Sequence, residues 1–220
     1  MSELVGFEAW AELAGDSPTS RTEWAFLVAA WSEPHRRYHD LSHLAAVLGL
    51  VGQLADAASD PDAVRLAAWY HDVAYDPERT DNEQVSAARA RAGLTGLVPD
   101  ARLDEVERLV LLTTGHDAEP GDANGAVLCD ADLAVLASPP EGYAAYASAV
   151  RAEYGHLSDQ EFTAGRIAVL ERLLALPQLY RLPAVAADWT PRARANLTAE
   201  LGLLRARAAS GDGAPPHAAD

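Results

Sequence analysis

An all-α fold is what this sequence predicts, on three observations. Apolar faces recur at three- and four-residue steps, as in Val64, Ala67 and Ala68 with His71 on the same face, and again in Val106, Leu109 and Val110 with Thr113. Alanine is abundant, and strands are poorly supported. Proline, glycine and Asp-Pro pairs punctuate the chain at helical intervals. No internal repeat or long linker divides it. A single helical domain over residues 1–209 is therefore expected. Residues 210–220, which hold Gly, Pro, Ala and Asp with nothing to pack, are expected to be a disordered tail, and His217 within them is a poor ligand candidate.

The elements follow in order. Residues 4–13 read as a first helix, and Asp16 to Ser20 as a break. Residues 21–31 form a second helix, stopped before Pro34, and residues 41–57 a third. Asp60-Pro61 opens a fourth, with Asp as cap and Pro in the first turn, and it ends on His71-Asp72. Asp76-Pro77 is a turn. A helix over residues 81–92 is broken by Gly93 and Gly96. Further helices are expected over residues 99–114, 126–137, 141–154, 159–174 and 191–209.

Composition limits the function. The chain has 220 residues, 49% of them hydrophobic, enough for a substantial core. Its formal charge of -16 should repel a nucleic-acid backbone or an anionic membrane, although a local basic pocket for a small phosphate ester remains compatible. Lysine is absent, so a phosphate loop with its lysine is excluded. Cys129 is the single cysteine, so neither an internal disulfide nor a Cys-x-x-Cys pair can form. No Gly-x-Ser-x-Gly elbow occurs, and Thr113-Thr114 near His116 lacks an orienting acid. Without a basic, apolar leader or a run of eighteen apolar residues, a cytoplasmic protein outside the membrane is the expectation. Oligomeric state is left open, a homodimer being only the commonest case.

The chemistry lies in His39-x-x-x-His43, His71-Asp72, His116 and Asp130-Ala-Asp132. Imidazole and carboxylate groups facing an apolar interior are costly unless paired or bound to metal. His39 and His43 share a face if both are helical, but His39 can equally lie in the preceding turn. Asp130, two residues before Asp132, points away from it on a helix and reads as a cap or an acceptor behind the ligands. His116 after Thr-Thr-Gly can contact substrate, give a proton, serve a second ion or close a helix. Glu83 and Asp76 compete as water-orienting acids, while Asp81 to Glu83 also suits a helix start. His35, Arg36 and Arg37 bring positive charge nearby, and an arginine fork suits a phosphate. Tyr38, Trp69, Tyr70 and Tyr75 read as core or pocket wall.

Together, Arg36-Arg-Tyr-His-Asp-Leu-Ser-His43, His71-Asp-Val-Ala-Tyr-Asp76, the Asn82-Glu-Gln-Val-Ser-Ala87 run and Asp130-Ala-Asp-Leu133 resemble the HD-domain metal-dependent phosphohydrolases, in an uncharacterised branch. The resemblance covers roughly residues 35–136 and implies a helical bundle of the HD-domain type. It implies His43, His71, Asp72 and Asp132 as ligands of a divalent ion, with Mn, Fe, Zn, Co or Ni favoured over Mg. It also implies hydrolysis of a small phosphate ester, such as a nucleotide, by metal-activated water, with long nucleic acid excluded by the acidic surface. Asp72, Glu83, His116 and Arg36 are the expected catalytic groups; His39, Tyr38, Asp76 and Asp130 are expected behind the ligands or against substrate. The extra pair of histidines found in binuclear members is missing between His71-Asp72 and Asp132, which favours one ion. The alternatives are metal or nucleotide binding without turnover, a centre that merely staples the bundle, and oxygen chemistry at two irons on a similar fold.

Overall fold

The structure, a computed structural model, describes residues 3–210. Ten α-helices and three short 3-10 turns make up its regular elements, with no strand among the described residues. The chain divides after Leu133 into two compact units. The expected tail lies outside the described residues except for Ser210, which ends the last helix. No described helix is long and apolar enough to cross a membrane.

The first unit begins with a 3-10 turn, Glu3–Val5, and α1, Phe7–Ala14. α2, Pro18–Trp31, starts inside the stretch expected to be a break. Ser17 accepts from the Ser20 amide and Pro18 supplies a preset first turn, so the same polar residues that suggest a loop are a helix start. α3, Leu41–Gln53, is capped by Asp40, which accepts from the amides of Ser42 and His43. Such a cap is worth about 1 kcal/mol. α4, Pro61–Tyr70, carries the expected Asp60 cap, bonded to the Ala63 amide.

α5 spans Asn82–Leu94 and runs through Gly93 instead of breaking there. A Cβ at Gly93 would lie 2.2 Å from the Glu23 carboxylate and 2.6 Å from the Tyr70 hydroxyl. The glycine is a notch for close approach rather than a terminator. α6, Asp100–Leu112, packs beside α5. α7, Ala123–Asp132, completes the unit and gives way to a 3-10 turn at Leu133.

α4 and α7 are the central helices. Every residue of α4 from Ala63 to Tyr70 except Arg65 is buried, and so is α7 from Asn124 to Ala131. Each packs against the other and against α3 and α6. Helices buried all round carry few polar groups except where chemistry or a latch needs them. Asn124 is the latch: its carbonyl accepts from the amides of Ser59 and Asp60 at 2.8 and 2.9 Å, and its amide donates to Glu105 at 2.8 Å. Around these helices lie Trp10, Trp31, Trp69 and Tyr70, all fully buried. The Trp10 indole donates to Ser20, and the Trp31 indole to the Trp69 carbonyl, so neither N–H is orphaned.

The second unit holds α8, Pro140–Glu153, α9, Asp159–Ala175, and α10, Pro183–Ser210. Ser158 and Glu161 form a reciprocal capping box at the start of α9. α10 starts eight residues earlier than expected, with Pro191 inside it. Arg166 ties α9 to α10 through Glu200 at 2.8 Å, and Tyr143 of α8 donates to the same carboxylate.

Candidate metal centre

Three helix ends converge on one cluster. α4 ends at Tyr70, and His71 is its cap residue. The Nδ1–H of that ring donates to the Ala68 carbonyl at 2.8 Å. This bond does two jobs: it satisfies a carbonyl at the helix end, and it fixes Nε2 as the atom facing the cluster. Asp132 is the last residue of α7, and His43 lies in the first turn of α3. The carbonyl ends of α4 and α7 both add negative potential, which favours a cation.

His43, His71 and Asp132 each present one ligand atom, and these atoms lie within 4.8 Å of one another. It is the one such group among the described residues. His43 Nε2 and His71 Nε2 are 3.3 Å apart. Asp132 Oδ1 is 3.1 Å from the first and 3.5 Å from the second. Ligand atoms held at about 2.1 Å from a shared ion are spaced by about 3.0–3.4 Å, so the set fits a divalent cation. Asp72 stands beside it, with Oδ2 3.3 Å from His71 Nε2 but outside the three-residue group.

Electrostatics point the same way. Burial pulls His43 below its ordinary value, against the opposing pull of Asp132. Burial would lower His71 too, but the charges of Asp72 and Asp132 prevail and raise it well above the usual imidazole range. Two rings facing nitrogen to nitrogen cannot both be charged cheaply, so the pair carries one positive charge, on His71. Burial would raise Asp72 and Asp132, yet the neighbouring His71 charge and imidazole bonds hold both below the usual carboxylate range. Two carboxylates thus face one imidazolium in a buried setting, leaving a net negative charge that a divalent cation would compensate.

The other expected residues have definite places. His116 Nε2–H donates to Asp132 Oδ2 at 2.7 Å, leaving Oδ1 for the cluster. Its backbone is left-handed, at φ 52°, and its amide donates to the Leu112 carbonyl at 3.0 Å. It therefore closes the end of α6 and orients Asp132 at once. His39 lies in the turn before α3, so it does not share a helical face with His43; its Nε2 is 4.0 Å from Asp72 Oδ2. Tyr38 packs its ring 4.7 Å from His43, and Tyr75 stacks on His39 at 4.3 Å.

Asp130 is fully buried inside α7, and the N-cap of that helix is Asp122, which bonds to the Gly125 amide. Every buried side-chain polar atom among the described residues has a hydrogen-bond partner, Asp130 included. Asp76 is exposed, and its carboxylate accepts from the Glu78 amide at 2.9 Å. Glu83 is half-buried in the first turn of α5 and makes no hydrogen bond to the cluster. The Arg36 side chain has no exposed surface, and its guanidinium donates to backbone carbonyls and Glu33 rather than into the site. Arg37 is exposed and donates to the Pro34 carbonyl at 2.7 Å, and His35 donates to the Tyr75 carbonyl at 2.8 Å.

Three contributors escape a sequence reading. Trp31 lies under both imidazoles, 5.3 Å from His71 and 6.2 Å from His43. The Ala68 carbonyl fixes the His71 tautomer, and Glu33 anchors Arg36. An alanine carbonyl has no sequence signature at all; Trp31 is legible only as an apolar residue at the end of its helix.

No family model, no curated protein and no solved structure matches the chain.

Proposed function

We propose that the chain is a divalent-metal-dependent phosphohydrolase of the HD-domain type, acting in the cytoplasm on a small phosphate ester such as a nucleotide. The observation that carries this reading is the convergence of His43, His71 and Asp132 ligand atoms with a net negative charge. His43, His71 and Asp132 would hold the ion, with Asp72 at its edge as a fourth ligand. The mixed imidazole and carboxylate set suits Mn, Fe, Zn, Co or Ni better than Mg. Once bound, such an ion acidifies water and withdraws charge from a phosphoryl oxygen.

The chain's own groups supply the rest. Hydrolysis joins a water oxygen to phosphorus and breaks the ester P–O bond, with a proton leaving the water and one reaching the departing oxygen. Asp72 is ionised and partly exposed, so it can accept a hydrogen bond from the attacking water and align it, the water's proton passing on to solvent. His39, 4.0 Å from Asp72 and also partly exposed, can deliver the second. His116 keeps Asp132 aimed at the ion. Glu83 and Asp76 make no hydrogen bond to the cluster and are assigned no step. The single three-ligand group among the described residues favours one ion over two irons.

The test is inorganic phosphate release across a panel of nucleotides and phosphomonoesters. Wild type loaded with Mn, Co or Ni is expected to turn over at least one member, and Asp72→Ala to lose at least about 100-fold in rate. Tight binding of a nucleotide that stays intact would instead identify a binding protein.

A further inference from the structure

A buried guanidinium is expensive unless its N–H groups are matched, and those of Arg36 are matched in an uncommon way. Its Nη1 donates to two backbone carbonyls at once, His39 and Asp72, each at 2.9 Å. Nη2 donates to the Val73 carbonyl at 3.1 Å, and Nε to the Glu33 carboxylate at 3.2 Å. The indole of Trp31 and the ring of Tyr75 lie 5.2 and 5.4 Å from its central carbon. With no exposed side-chain surface, this fork faces main chain rather than a phosphate.

The carbonyls it joins belong to the two segments that carry the cluster. His39 lies in the turn that feeds His43 into α3, and Asp72 follows His71 directly at the end of α4. One nitrogen therefore holds His39 nearby and reaches Asp72, 36 residues further along the sequence from Arg36, and so pins the backbone on both sides of the candidate site.

We infer that Arg36 is a positioning residue: by clamping the His39 and Asp72 carbonyls it sets the spacing of His43 against His71-Asp72, and with it the coordination geometry. This rests on the reading that the cluster holds a divalent cation. Lysine cannot replace the clamp fully, because a compact ammonium on a shorter reach cannot serve His39, Asp72, Val73 and Glu33 together.

The probe is Co(II) alone, titrated into wild type, Arg36→Lys and Arg36→Met, with visible absorption reporting coordination and far-UV circular dichroism reporting folding. Wild type is expected to bind about one Co(II) per chain. The folded variants should bind about 10–100-fold more weakly, with shifted bands, and Lys should recover part of what Met loses. A folded Arg36→Met that binds Co(II) with wild-type affinity and bands overturns the proposal, whatever its melting temperature, because the arginine would then serve stability alone. Should neither variant fold, Glu33→Ala decides, since that side chain is 44% exposed and the fold should tolerate its loss. A several-fold weakening with shifted bands then supports the clamp, and wild-type behaviour overturns it. Failure of wild type itself to take up Co(II) removes the cation reading and the clamp with it, a result distinct from the failure of Arg36 alone.

Discussion

His116 puts two demands on one residue. Its left-handed backbone costs about 1–2 kcal/mol for a residue with a Cβ, while its ring holds Asp132 Oδ2. Replacing it should separate these effects. His116→Gly relieves the backbone and removes the donor, so the thermal midpoint should hold or rise while metal affinity falls about 10–100-fold. A loss of both together would show that the ring is needed mainly for packing. Asp132→Asn should be more severe, because it removes the charge facing both imidazoles. The residues of this site were partly legible in sequence. His43, His71 and Asp132 stood out as polar groups on apolar helices, and the structure brings them together. The fork of Arg36 suggested a phosphate contact, whereas its donors face the main-chain carbonyls of His39, Asp72 and Val73. Side-chain chemistry is visible in a sequence; a main-chain acceptor is not.

At the level of elements, caps were the most readable signals. Asp60 bonds to a first-turn amide as its sequence position implies, and the structure adds Asp40 and Ser158 in the same role. Gly93 and Pro191 misled because their meaning depends on neighbours. Gly93 lies inside α5 where Glu23 and Tyr70 come close, and Tyr70 is the residue just before His71. Glu23 accepts from the Tyr70 hydroxyl at 2.7 Å and from Arg89, so it is held from two sides and has little room to yield. Gly93→Ala should therefore destabilise by about 1–3 kcal/mol, seen as a lowered denaturation midpoint with unchanged slope. A neutral outcome would mean that Glu23 moves freely. Pro191 is tolerated inside α10 although it removes one helical hydrogen bond, and no local sequence signal distinguishes it from a helix start.

For the whole molecule, charge is the dominant variable. The formal charge of -16 predicts no measurable binding of duplex DNA at physiological salt in a fluorescence anisotropy titration; binding there would require a basic face that the composition does not suggest. Proton linkage gives a second expectation. The folded pKa of His71 lies above its unfolded value of 6.5, so its contribution to stability is fully present below pH 6.5 and is lost as pH rises through the folded value. His43, held below 6.5, acts in the opposite direction: its contribution is present above 6.5 and is lost as pH falls. A cation at His71 Nε2 must displace the proton held there. Apparent metal affinity should therefore rise with pH, by about tenfold per unit while His71 remains protonated, as measured by competition titration. A flat profile above pH 6.5 would contradict the proton placement.

The proposed chemistry depends first on the His43, His71 and Asp132 cluster holding a metal ion. Its most direct test is elemental analysis of protein purified without chelator or affinity tag, wild type beside Asp132→Asn, before and after reconstitution. About one transition-metal ion per wild-type chain is expected, with a strong loss in the variant at equal folding. Wild-type protein that carries no metal and takes up none on reconstitution would contradict that assignment.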